Sequence, residues 1–241
     1  MAFGSDRKYM TPAQAEAAEI DVGLRKYMLG VYNYMASGVA LTGIIALLVA
    51  SSPAALQMIF GTPLKWVVLL APVGLVFFLA FRIHAMQAST AKVVFWVYAA
   101  LMGLSLASIF VAYTGTSIAR TFFVSAAAFA GLSLWGYTTK KDLSGFGTFL
   151  IMGLFGLIIA SLVNIFLQSS MMEFVISAAG VLIFAGLTAY DTQKIKEMYW
   201  EGDGHEIAAK KSVMGALTLY MDFINLFLFL LRFMGVTRGE E

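Results

Sequence analysis

Two aspartates raise the first chemical question in this chain. Asp222 lies in LTLYMDFINLFLFLL at 217–231, a run apolar enough to belong inside a bilayer. An ionisable group at that depth costs about 2.5–3.5 kcal/mol on insertion scales, so it normally faces a bundle interior or a wet cavity and needs a partner. Asn225 follows three residues later and shares its helix face. Asp191 closes the preceding apolar run, in GLTAYDTQKI at 186–195. If the two acids share a site, like charges cannot both ionise cheaply, and the pair titrates as a unit. That is the chemistry of a pH switch. The same carboxylates can also hold a hard cation. Ca²⁺ takes six to eight oxygens, so carbonyls, Asn225 and water would have to complete the set. The plainer readings are an interfacial Asp191 neutralised by Lys194 at i+3, and an Asp222 held by purely structural hydrogen bonds.

The elements must bring these residues to one depth. The chain of 241 residues is 60% hydrophobic and 12% charged, against about 25% charged in soluble domains. Apolar segments recur along almost its whole length, as in a polytopic membrane protein. Six stand at 29–50, 64–81, 93–113, 118–137, 146–167 and 172–190, and a seventh at about 213–233 either spans or re-enters. Counted from Lys211, Asp222 lies about 16 Å into the seventh, while Asp191 looks nearer the surface. The two meet only if the sixth helix sits deep or the seventh begins its buried span later, near Gly215. Residues 1–28 read as a polar tail, with Glu16, Glu19 and Asp21 in a helix-compatible stretch. Residues 29–235 read as the membrane domain and 236–241 as a C-terminal tail. The longest loop is placed at 192–212, around EGDGHE at 201–206.

Lys and Arg set the expected orientation. With the N-terminus in the cytoplasm, the inner side receives twelve of them, Arg82, Lys92, Lys194 and Lys211 among these. The outer side receives Lys65 and Arg120 before the last segment. Arg232 and Arg238 fall outside if the seventh segment spans.

Other residues narrow the function. Arg82 ends the second segment on the inner side, as a counter-ion for the acids or as a snorkelling arginine. Glu173 opens the sixth segment at the outer face as an interfacial acid. His84 and His205 fall in inner loops and the chain has no cysteine, which argues against a zinc site. No nucleophile elbow, phosphate loop or zinc-protease helix is present, so no enzyme and no cofactor are expected. A net charge of +2 gives no reason to expect nucleic acid. Gly38, Gly43, Gly153, Gly156, Gly180 and Gly186 are expected at close helix contacts. The repeat of GLSL at 103–106 and 131–134 is too short to mark the inverted halves of a transporter.

Four segments resemble one family. AGLTAYDTQKIK at 185–196 looks like the signature of the Bax inhibitor-1 family, the transmembrane Bax inhibitor motif proteins. ALTLYMDFINLF at 216–227 resembles that family's last-helix motif, and FWVYAALMGLSL at 95–106 with GYTTKKDL at 136–143 fits its bacterial branch. The resemblance covers about residues 25–235. It implies an all-α fold of seven transmembrane helices with the last helix central. It also implies a pH-sensitive calcium leak of the bacterial inner membrane, gated by a di-aspartyl sensor. Asp191 and Asp222 stand at the sensor positions, which makes them the residues to meet Ca²⁺ and protons. Arg82 is the best match for the family's basic latch on the second helix, and Asn225 a polar partner. Some bacterial relatives are linked instead to a membrane quality-control protease, which makes an adaptor without ion flux the alternative.

Overall fold

A computed structural model describes residues 12–239, with the side chains of 22–239 save that of His84. The first part of the tail, 1–11, lies outside the described residues. Helices account for nearly all the rest: α1 (Pro12–Ala50), α2 (Pro53–Phe60), α3 (Leu64–Arg82), α4 (Ala88–Leu106), α5 (Ile109–Ala112), α6 (Gly115–Thr138), α7 (Ser144–Leu167), α8 (Ser170–Glu197) and α9 (His205–Met234). In hydrocarbon the backbone must satisfy its own hydrogen bonds, which selects helices for sequences this apolar. Among the described residues seven helical stretches are long and apolar enough to cross a membrane, α4 and α5 together forming the third. The protein is an all-α membrane protein.

Capping residues set the boundaries. Ser52, Thr114 and Ser169 each accept a hydrogen bond from a backbone N–H in the first turn of α2, α6 and α8, as N-caps do. Between α7 and α8 the chain reverses through Gln168, whose φ of 49° is left-handed. So tight a turn makes these two helices antiparallel neighbours.

Two expectations change. The loop placed at 192–212 shrinks to 198–204, because α8 runs on to Glu197 and α9 begins at His205. The charges that read as loop belong to helix ends: Lys196 Nζ reaches the Tyr137 carbonyl at 2.9 Å, and Lys211 bonds Asp203 and the Met198 carbonyl. The glycines also divide. A Cβ at Gly38 would strike Phe95, and one at Gly180 or Gly186 would strike Phe229 or Leu150, whereas Gly43 and Gly156 face open space.

The seventh segment is one unbroken helix of 30 residues, about 45 Å long, with no turn where a re-entrant segment would reverse. It is the most buried span, 61% against 33% or less for the others. It packs against α8, α1, α6 and α4, so the last helix is central. The ends of the bundle are tied separately. Ala88 N–H at the start of α4 donates to Glu206 Oε1 at the start of α9, 2.5 Å. At the other end Arg238 N–H donates to the Ala112 carbonyl, 3.0 Å. The end with the α4 and α9 starts carries Arg25, Arg82, Lys194, Lys196 and Lys211 and is called the basic end below.

Candidate functional site

The register of α8 on α9 settles the depth question. A Cβ at Gly215 would meet Ile195 Cγ2 at 2.9 Å, so α8 lies close against α9 there. From that contact Asp191 lies one turn along α8 and Asp222 two turns along α9, a difference of about 4.5 Å that two side chains bridge. The buried span of α9 does begin near Gly215, and the two carboxyl groups lie near enough to interact directly on one cavity wall. Asp222 is 4% exposed, and its Oδ2 is fully buried without a partner among the described residues. Lys194 forms no direct ion pair with Asp191; its Nζ stands over the Tyr190 ring, 5.7 Å from the centroid.

Both acids face a cavity of about 560 Å³ between α7, α8 and α9. It exists because α7 packs chiefly on α8 and leaves a gap toward α9. Asn225, Thr218 and Ser161 join the aspartates on its wall. Each spends a hydrogen on its own helix: Asn225 Nδ2 donates to the Met221 carbonyl at 2.9 Å, Thr218 Oγ1 to Met214 at 3.1 Å and Ser161 Oγ to Leu157 at 2.8 Å. What remains is oxygen lone pairs on all three and the second Nδ2 hydrogen of Asn225. Lys194 and Tyr190 line the same wall, so the cavity combines carboxyl, amide and hydroxyl oxygens, the chemistry that suits protons, water and hard cations, with an ammonium group. Among the described residues no group of three or more His, Cys, Asp or Glu gathers to hold a resident metal.

A second cavity of about 460 Å³ opens toward the other end, lined by Asn164, Gln168, Glu173, Ser177 and Arg232. Ser161 and Ile165 line both cavities. Glu173, expected as an interfacial acid, thus faces a polar vestibule opposite Arg232.

Arg82 is not brought to the acids. It is exposed at the end of α3, which packs on α4 and α2 at the rim of the bundle, and it lines neither cavity. In this arrangement it is not the counter-ion of the pair. Sequence reading missed Ser161 and Thr218. Thr218 carries a usable signal, one turn before Asp222 on the same face.

A multi-pass membrane protein with paired acids on its central helix and that helix's neighbour is the class this fold and site define. The family model described as inhibitor of apoptosis-promoting Bax1 matches residues 24–239. The chain belongs to the Bax inhibitor-1 family. A protein of Rickettsia prowazekii (strain Madrid E) is 49% identical over 218 residues, 90% of this chain and 92% of that one. One from Caulobacter vibrioides is 48% identical over 237 residues, 94% and 95% of the two chains. The inner membrane protein YbhL of Escherichia coli (strain K12) is 46% identical over 219 residues, 90% and 94%.

Proposed function

We propose that this protein is a cation leak of the inner membrane, with Ca²⁺ as the principal ion and Asp191 with Asp222 as its proton-sensitive gate. The observation that carries the reading is the buried acid pair opening onto a cavity to which Asn225, Thr218 and Ser161 add oxygen, with Lys194 on the same wall. Two carboxyl groups in contact hold a proton between them more readily than two charges. Loss of that proton adds negative charge where a cation can use it. The proposed route runs from the basic end past Asp191, Asp222 and Asn225, passes Ser161 and Ile165, which both cavities share, and leaves by the cavity of Glu173 and Arg232. The lysine and arginine bias supports a cytoplasmic basic end and N-terminus. The chain acts without a resident cofactor and without catalysis. A latch role for Arg82 requires a second arrangement that carries α3 toward the cavity.

The test is Ca²⁺ flux into proteoliposomes from acid to neutral pH, with wild type beside Asp191→Asn and Asp222→Asn. Wild type should show a pH-dependent flux, and both variants should lose the pH response. No flux above empty liposomes at any pH, from protein shown to be folded, would replace the channel by the protease-adaptor reading.

A further inference from the structure

The opposite side of α9 holds a different kind of space. α1 and α6 both pack on α9, but their backbones stay apart and leave a groove that faces the bilayer. Its half at the basic end is a cavity of about 620 Å³, walled by Arg25, Leu29 and Tyr32 of α1 and by Phe129, Leu134 and Tyr137 of α6. Farther along, a smaller cavity of about 280 Å³ lies between Gly43 and Gly115, floored by Phe223 and Phe227 of α9. A Cβ at Gly43 or Gly115 would touch nothing within 4 Å, so these small residues border open volume and do not mark close helix contact.

Charge and depth specify the occupant. Arg25 stands about one turn before Leu29, where the apolar run of α1 sets in, which puts it at headgroup level. Lys196 reaches the same rim: its Nζ bonds the Tyr137 carbonyl at 2.9 Å and stands 5.2 Å from the Tyr137 ring centroid. Below this cationic rim the wall is almost entirely apolar. A guanidinium fork matches phosphate oxygens in geometry and charge, and a basic rim above an apolar slot suits an anionic lipid. We propose that this groove binds one anionic phospholipid, its phosphate on Arg25 and one acyl chain lying along Leu29, Phe129 and Leu134. The site is separate from the acid cavity, with α9 between them, and does not depend on ion conduction.

The experiment is native mass spectrometry of the full chain in mild detergent, titrated with phosphatidylglycerol or with phosphatidylcholine of the same acyl chains. Wild type should retain phosphatidylglycerol preferentially. Arg25→Gln should weaken phosphatidylglycerol on the order of fivefold, the worth of one cation near a headgroup, and leave phosphatidylcholine unchanged. Ala130→Trp, which fills the slot, should weaken both lipids. Arg120→Gln, at the other end of α6, should change neither. Equal phosphatidylglycerol retention by wild type and Arg25→Gln, or an equal loss in Arg120→Gln, would overturn the proposal. If Ala130→Trp does not fold, the ratio of the two lipids on Arg25→Gln decides alone.

Discussion

The two faces of α9 handle buried polarity in opposite ways. Toward α1 and α4, Tyr220 is 0% exposed and its hydroxyl lies 2.6 Å from Thr42 Oγ1, which donates in turn to the Ala99 carbonyl at 2.8 Å. Thr42 has one hydrogen and gives it to Ala99, so Tyr220 is the donor and every group is used. The Tyr220 ring sits edge-on to Tyr98 and Phe95, at 5.4 and 6.1 Å. Two residues along, Asp222 turns to the other side and keeps one buried oxygen without a partner. A closed network is what a structural polar group achieves. An open one beside a cavity leaves room for a proton, water or ion, as the proposed gate requires. The contrast separates a site that holds the bundle together from the site proposed to conduct.

The comparison can be broken by substitution. The largest effect on stability is expected from Tyr220→Ala, which empties a packed aromatic site and orphans Thr42; it should cost about 3–5 kcal/mol, read as a lower unfolding midpoint in detergent. Asp222→Asn should change stability by no more than about 1 kcal/mol, because an amide of the same shape needs no buried charge. A large loss of stability in Asp222→Asn would make the acid structural and erase the contrast. The pH sign follows from the same face. Each proton lost from the pair adds one negative charge, so Ca²⁺ affinity should rise with pH in wild type and stay flatter in Asp191→Asn and Asp222→Asn. A calcium titration at two pH values reads this directly.

The same asymmetry explains what the sequence made legible. Asp191, Asp222 and Asn225 stood out because charge and amide are costly inside an apolar run. The helix count and the central last helix followed from hydropathy and from the resemblance. Ser161 and Thr218 stayed hidden because a hydroxyl bonded to its own helix is ordinary in a membrane span. Only the gap between α7 and α9 gives them a role. Gly38 and Gly43 read alike as small residues, yet one meets Phe95 and the other meets nothing; the partner helix decides, and it is not written locally. Arg82 shows the same limit, since its distance from the acids depends on where α3 docks.

The central claim is that ions pass on the α7–α8–α9 side of the central helix and lipid occupies the other. The chain has no cysteine, so single cysteines report cleanly. Ser161→Cys, at the junction of the two cavities, and Ala130→Cys, in the α1–α6 groove, would each be treated with a charged, water-soluble thiol reagent during Ca²⁺ flux. The account predicts that the reagent blocks flux through Ser161→Cys and leaves Ala130→Cys and wild type conducting. Block at Ala130→Cys with none at Ser161→Cys would contradict it.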